Sequence, residues 1–148
     1  YDIRNGRTYM YFEGEPQYAF GHGLSYTTFE YSNLRASAAE IEPDGSVEIT
    51  VDVTNTGDRA GDEIVQLSVS RAESTIVRPL KELRGFQRVS LSPGETATVT
   101  MKLDSSHLSH WDTSSHAWVV EPGPVEVMVG RSSRDEDLSL RKTVEIRP

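Results

Sequence analysis

The chain has 148 residues, of which 36% are hydrophobic and 26% are charged, a composition typical of one globular domain with its own core. The formal net charge of −8 argues against nucleic acid and anionic membrane surfaces as partners, because both attract cationic proteins. The chain contains no cysteine, so disulfides, thiol nucleophiles and thiolate metal ligands are excluded.

Residues 1–24 form a lead that is rich in glycine, charge and aromatic side chains. Disordered tails are poor in aromatic residues, so we expect the lead to be an extended connector that lies along another surface. Residue 1 is Tyr rather than Met, and we expect the chain to be a piece of a longer polypeptide. Residues 25–148 are expected to form a single β-sandwich.

The segment FGHGLSYTTF (residues 20–29) joins the lead to the sandwich. Glycines two residues apart allow positive φ angles, which predicts a tight bend. The alternation of Leu24, Tyr26 and Thr28 after the bend predicts the start of a strand.

Strict alternation of apolar and polar residues predicts strands over 47–53, 65–69, 97–103 and 125–129. Further strands are predicted over 83–91, 117–120 and 138–146, and Phe86 is expected to fill the core. A single helical turn is predicted around Ser105–Ser109. About seven strands separated by turn signals indicate an all-β, immunoglobulin/fibronectin type III-like sandwich.

Several residues could carry chemistry, but their contexts do not favour it. His107, His110 and His116 lie in a polar loop that lacks the ligand spacing of a zinc site, and the acidic runs 58–63 and 134–137 do not match a calcium loop. Asp62 and Glu63 should point to opposite faces of a strand, so they should not act as a catalytic pair. No catalytic residue, metal site or cofactor is therefore expected.

The two tryptophans, Trp111 and Trp118, allow two interpretations. Tryptophan in a sandwich usually fills the core. Exposed tryptophans would instead offer stacking surfaces for sugar rings.

Several segments in chain order resemble the C-terminal fibronectin type III-like domain of family 3 glycoside hydrolases, the β-glucosidases and β-xylosidases. They are FGHGLSYTTF (20–29), VDVTNTGDRAGDEIVQL (51–67), PLKELRGFQRV (79–89), LSPGE (91–95), WVVEPG (118–123) and VMVGRSS (127–133). The lead over residues 2–12 resembles the connector from the preceding catalytic domain.

The resemblance implies a non-catalytic accessory domain, because the two catalytic carboxylates of such enzymes lie on upstream domains. The parent would be a retaining β-glycosidase acting on terminal β-linked glucose or xylose, and a periplasmic or secreted location is favoured. Contact with the upstream domains is expected from the aromatic and arginine side chains near the start of the chain. These are Arg7, Tyr9, Tyr11, Phe12, Phe20 and Tyr26.

A free-standing carbohydrate- or protein-binding module is the alternative interpretation. Exposed tryptophans forming a planar platform would favour it. Sugar specificity and oligomeric state stay open on the sequence alone.

Overall fold

The computed structural model describes residues 2–148, and nearly all regular structure in that range is β-strand. Tyr1, one of the aromatic residues of the lead, lies outside the described residues. The strands are β1 (Phe29–Ala36), β2 (Glu40–Ile41), β3 (Ser46–Asn55), β4 (Gly61–Ser70), β5 (Glu82–Leu91), β6 (Thr96–Asp104), β7 (His110–Asp112), β8 (Ala117–Val119), β9 (Gly123–Gly130) and β10 (Leu140–Ile146). The predicted helical turn is present as one turn of 3-10 helix, Ser105–Leu108.

Two sheets form a sandwich, as the alternating sequence pattern predicts. The smaller sheet has the strand order β1-β3-β6, and the larger has the order β2-β10-β9-β4-β5. Neighbouring strands are antiparallel except β2 and β10, which are parallel. Strands β7 and β8 pair only with each other and form a separate hairpin.

The core lies between the two sheets and is built mainly of β-branched side chains. Alternate residues of β3, from Val47 to Val53, are at most 1% exposed. Alternate residues of β4 and β9 face them in the same buried cluster, including Val65, Leu67 and Val127. Because strand side chains alternate between faces, the strands predicted from this pattern are confirmed.

Strand β1 begins later than predicted. The expected strand start at Leu24 is wrong, because Leu24 and Tyr26 are 94% and 93% exposed and precede the strand. The pairing of β1 with β3 starts at Phe29 opposite Asn55, which is the last residue of β3. Residues before Phe29 therefore have no strand to pair with.

The prediction that Phe86 fills the core is also wrong, since Phe86 is 69% exposed. In β5 the core-facing position opposite Leu67 is occupied by Gly85, where a Cβ would lie 3.7 Å from the Leu67 and Met101 side chains. Strand alternation then turns Phe86 outward, opposite Gln66. The register shift beside Gly85 agrees with the predicted break in this strand.

The outer face of the larger sheet is buried in part. Gln66, Ser68 and Met128 point away from the sandwich core, yet they are only 5%, 2% and 1% exposed. Some other part of the chain must cover them, and the lead contacts this face at Gly21.

Candidate functional site

The lead lies against the sandwich and is fixed at three points by hydrogen bonds. The Leu83 N–H donates to the Tyr9 hydroxyl at 3.0 Å, and the Leu80 N–H donates to the Met10 carbonyl at 2.6 Å. Farther along, the Ser133 N–H donates to the Phe20 carbonyl at 2.8 Å. The lead therefore lies along the surface of its own sandwich, and its predicted contact with another domain stays a prediction.

The bend predicted at the end of the lead is present at Gly21, which has a φ of +80°. A side chain at this position would overlap the amide of Gln66. The same amide donates to the Arg131 carbonyl, so it is held in place beneath the lead. Gly21 thus combines a left-handed backbone with close approach to β4, and both require glycine.

A cavity of about 980 Å³ opens between the lead, Leu80, Lys81 and the loop 133–136. Four of the side chains predicted to form interdomain contacts line it, and two of them, Tyr9 and Phe20, stack with ring centroids 4.3 Å apart. These four are Arg7, Tyr9, Phe12 and Phe20.

The two remaining predicted contact residues lie elsewhere. Tyr11 is half-buried in the turn after Tyr9, and Tyr26 projects into solvent beyond the bend. We name the exposed aromatic side chains of the lead and of the segment just after it, Phe12, Tyr18, Phe20 and Tyr26, the lead surface. Its side chains are 42%, 68%, 45% and 93% exposed, and large apolar patches on a monomer commonly mark interaction sites.

Asn55 ties the start of β1 to the sandwich, a role that its sequence motif did not reveal. Its side-chain oxygen accepts hydrogen bonds from the Thr27 hydroxyl at 2.7 Å and the Gly57 N–H at 3.0 Å. Its amide nitrogen donates to the carbonyls of Arg59 and Leu91 at 2.7 and 3.0 Å. The turn predicted at this position is therefore held by a fully buried side chain.

The expectation that the tryptophans fill the core is wrong. Trp111 and Trp118 are 49% and 69% exposed, on the hairpin that stands apart from both sheets. They face each other across the hairpin with centroids 5.8 Å apart and ring planes inclined by 75°. The rings are accessible, but they do not form the planar platform that a sugar-binding module would favour.

A polar cluster fastens this hairpin to the loop between β4 and β5. Glu121 accepts hydrogen bonds from the Ser74 hydroxyl at 2.6 Å and from the Thr75 N–H at 2.7 Å. Arg78 donates to the Leu108 carbonyl at 3.1 Å, contacts His110 Nδ1 at 3.1 Å and pairs with Glu121 at 3.4 Å. Sequence reasoning missed this cluster, because its members are far apart in the chain and form no motif.

The charge of Glu121 is stabilised by this arrangement. Burial works against its ionisation, but hydrogen bonds from Ser74 and Thr75 and the charge of Arg71 outweigh it and lower the pKa of Glu121 to about 2. The carboxylate therefore stays ionised and holds the loop throughout the physiological pH range.

Comparison with known proteins places these features in a family. Residues 63–133 match the fibronectin type III-like domain family. Thermostable beta-glucosidase B of Acetivibrio thermocellus is 44% identical over 137 residues, which are 90% of this chain and 18% of that enzyme. Beta-glucosidase BoGH3A of Bacteroides ovatus is 41% identical over 82% of this chain and 16% of its own length.

A solved structure agrees with these relatives. The β-glucosidase EmGH1 of Erythrobacter marinus superposes with a TM-score of 0.83 at 38% identity, over 95% of this chain and 18% of that one. This chain is a fibronectin type III-like domain of the kind found in family 3 glycoside hydrolases. The family and the sandwich fold predicted from the sequence are thereby confirmed.

The fibronectin type III-like domain spans less than one fifth of the length of these relatives. The family match begins at residue 63, so the division of the chain at residue 24 stays a prediction. No helix in the described part of the chain is long and apolar enough to cross a membrane.

The neighbouring carboxylates Asp62 and Glu63 have different surroundings in the fibronectin type III-like domain. Asp62 is exposed and pairs with Arg88 and the Ser90 hydroxyl, whereas Glu63 is 8% exposed and accepts a 2.8 Å hydrogen bond from Tyr31. The prediction that the two point to opposite faces is confirmed.

Glu63 and Tyr31 join the two sheets through a buried polar contact. Burial raises the pKa of Glu63, although the Tyr31 hydrogen bond and the charge of Arg131 oppose this effect. Burial and the neighbouring Glu63 carboxylate raise the pKa of Tyr31, so the phenol keeps its proton.

The acidic run 134–137 is tied to neighbouring cations. Asp135 pairs with Lys81 at 2.8 Å and with Arg141 at 3.0 Å, while Asp137 pairs with Arg131 at 2.8 Å. Among residues 2–148, no three His, Cys, Asp or Glu side chains are grouped as metal ligands.

Proposed function

We propose that this chain is a non-catalytic accessory domain at the C-terminal end of a family 3 β-glycosidase, and that it packs on the catalytic domains and stabilises them. Residues 1–24 act as the connector from the upstream domain, and residues 25–148 act as the sandwich. The parent is a retaining enzyme that removes terminal β-linked glucose or xylose.

The observation that carries this proposal is the lead surface. Phe12, Tyr18 and Phe20 are exposed on a lead that hydrogen bonds fix to the sandwich, and Tyr26 is exposed just after it. Aromatic side chains supply much of the anchoring energy of protein interfaces. The adjoining cavity of about 980 Å³ offers a socket for a protruding part of an upstream domain.

The acidic side chains support a role without catalysis. Glycosidic acid–base chemistry needs two carboxyl groups about 5–9.5 Å apart across a cleft. Asp62, Asp135 and Asp137 instead pair with arginine or lysine, and Glu63 is buried against Tyr31. Each of these side chains thus has a structural partner.

An antibody raised against this chain tests the proposal in the source organism. The precipitate would be assayed on a panel of aryl β-glycosides and weighed by mass spectrometry. Activity in a polypeptide much heavier than 16.5 kDa supports the proposal, and the preferred glycoside identifies the substrate. An inactive precipitate at the mass of this chain contradicts it.

A free-standing carbohydrate- or protein-binding module is the second candidate, because Trp111 and Trp118 are accessible. The chain has two tryptophans, so its tryptophan fluorescence reports on the hairpin alone. Acrylamide quenching that is relieved by cellohexaose or xylohexaose favours this candidate. Quenching that neither sugar changes counts against sugar binding.

A further inference from the structure

The β7–β8 hairpin is exposed in a way that its own domain does not explain. Each of its strands has three residues, and all three of β8 are exposed. Two-stranded hairpins are at best marginally stable in water unless one face packs on another element. This hairpin nevertheless carries Trp111, Trp118 and Val119, which are 49%, 69% and 36% exposed.

The hairpin is held in a fixed position. Its first residue, His110, contacts Arg78, and Glu121, two residues after the hairpin, binds Ser74 and Thr75. Side chains that are fixed before binding lose less conformational entropy on association. The polar cluster therefore lowers the conformational entropy that the hairpin would lose on binding a partner.

The loop tied to the hairpin adds apolar side chains and leads to the lead surface. Ile76 and Val77 are 39% and 72% exposed. Leu80 follows at 44% exposure, and its N–H binds the Met10 carbonyl of the lead. Exposed apolar side chains thus extend from the hairpin through this loop to the lead. We name Ile76, Val77, Trp111, Trp118 and Val119 the hairpin surface.

We propose that the hairpin surface is a second contact with the catalytic part of the same polypeptide, continuous with the contact made by the lead surface. This inference rests on the proposed function. The chain covers 18% of the Acetivibrio relative, so most of such a polypeptide is available to lie against both surfaces.

The geometry of the tryptophans favours a protein partner over a sugar. Ring planes inclined by 75° cannot both lie against the flat face of one glycan chain, and the edge of one ring covers part of the other. A corner formed by two indoles suits insertion of a protruding side chain. Tryptophan is also among the residues that dominate protein interfaces.

Hydroxyl-radical footprinting by mass spectrometry tests the inference on the whole parent and on this chain alone. We expect Trp111 and Trp118 to be oxidised several-fold more slowly in the dilute parent than in the chain alone. Phe12 and Tyr18 report on the lead surface in the same spectra, and an added reporter peptide checks the radical dose.

The outcomes separate this inference from the function on which it rests. Equal oxidation of the tryptophans in both samples, with Phe12 and Tyr18 protected in the parent, overturns only the inference. If neither surface is oxidised more slowly in the parent than in the chain alone, the proposed function is overturned as well. Protection that rises with parent concentration, or that needs added cellohexaose, assigns the hairpin surface to a second copy or to a glycan and overturns the inference.

Three substitutions in the parent refine the test. Trp118→Ser should raise the oxidation of Trp111 to the rate of the chain alone, whereas Trp118→Phe should keep most of the protection. Because Trp118→Ser could also unfold the hairpin, Val77→Ser tests the surface from the loop and leaves the hairpin sequence unchanged. No change in Trp111 oxidation with either serine variant contradicts the contact.

Discussion

Outside the apolar core, Asn55 is the residue whose substitution we expect to lower the free energy of unfolding most. It is fully buried and makes four side-chain hydrogen bonds. Asn55→Ala leaves two backbone carbonyls, the Thr27 hydroxyl and the Gly57 N–H without their partner. We expect the free energy of unfolding to fall by about 2–4 kcal/mol, measured by urea denaturation.

Asn5→Ala is the matched control, because Asn5 is exposed on the lead. It should change the free energy of unfolding by less than about 0.5 kcal/mol. Equal effects of the two substitutions would mean that the Asn55 hydrogen bonds contribute nothing net.

Glu63 should make stability depend on pH. Burial raises its pKa in the folded state above the unfolded value, so folding favours the protonated form. The contribution of Glu63 is therefore fully present below the unfolded pKa and is lost as pH rises through the folded pKa. The Glu63→Gln variant should be more stable than the unsubstituted chain at about pH 8, and this difference in stability should shrink toward about pH 4.

Thermal denaturation across this pH range measures the difference. The exposed strand residue Glu48 provides the control Glu48→Gln. A Glu63→Gln difference that does not vary with pH would show that burying the carboxylate carries no cost.

The sequence predicts local turns more readily than it predicts the contacts and burial of individual side chains. The turn at Asn55 was predictable from Asn55-Thr56-Gly57, but two of its four side-chain hydrogen bonds join residues far away in the chain, Thr27 and Leu91. Phe86 and the tryptophans were misplaced for a related reason. Their burial depends on strand register and on which strands pair, and residue type alone does not contain that information.

Among the connecting elements, the bend of the lead allows a direct comparison of two neighbouring glycines. Gly21 has a positive φ and lies on Gln66, whereas a side chain at Gly23 would meet nothing within 4 Å. Gly21→Ala should destabilise this region by about 1–3 kcal/mol, because alanine is strained there and displaces the Gln66 amide. Gly23→Ala should be neutral or slightly stabilising.

Hydrogen exchange at the Ser133 amide is the measurement, since this N–H donates to the Phe20 carbonyl. Gly21→Ala should speed its exchange and Gly23→Ala should not. Unchanged exchange in both variants would mean that the lead does not depend on the bend.

Several of the longest strands were predictable from their alternation, whereas two of the shortest were not. Strands β3, β4, β6 and β9 have eight to ten residues, enough for alternation to stand out. Strand β2 has two residues and β7 has three, too few to show a period of two. The larger sheet buries part of its outer face under the lead, and no local pattern indicates that.

Across the whole molecule, the fully exposed Tyr26 of the lead surface should matter only when the upstream domains are present. Phe20→Ala and Tyr26→Ser in the parent polypeptide should each lower its melting temperature by several degrees, because interface anchors would be lost. At temperatures where the parent stays folded, kcat should be unchanged. In the isolated chain, Tyr26→Ser should have no effect, since Tyr26 is 93% exposed.

Differential scanning calorimetry of the parent and of the isolated chain gives both values. Thr100→Ala, on the exposed face of the smaller sheet, is the control and should leave the parent unchanged. Tyr26→Ser that leaves the melting temperature of the parent unchanged would contradict the interdomain role of this residue.

The position of β10 has a consequence for synthesis. Strand β10 is the last strand of the chain, yet it lies inside the larger sheet, between β2 and β9. A ribosome adds about 5–20 residues per second, and until Ile146 has left it, β2 and β9 have unpaired edges. A product that terminates before Leu140 could not close this sheet and would present open strand edges to proteases and chaperones. Because of this strand order, the larger sheet can close only after translation has passed residue 146.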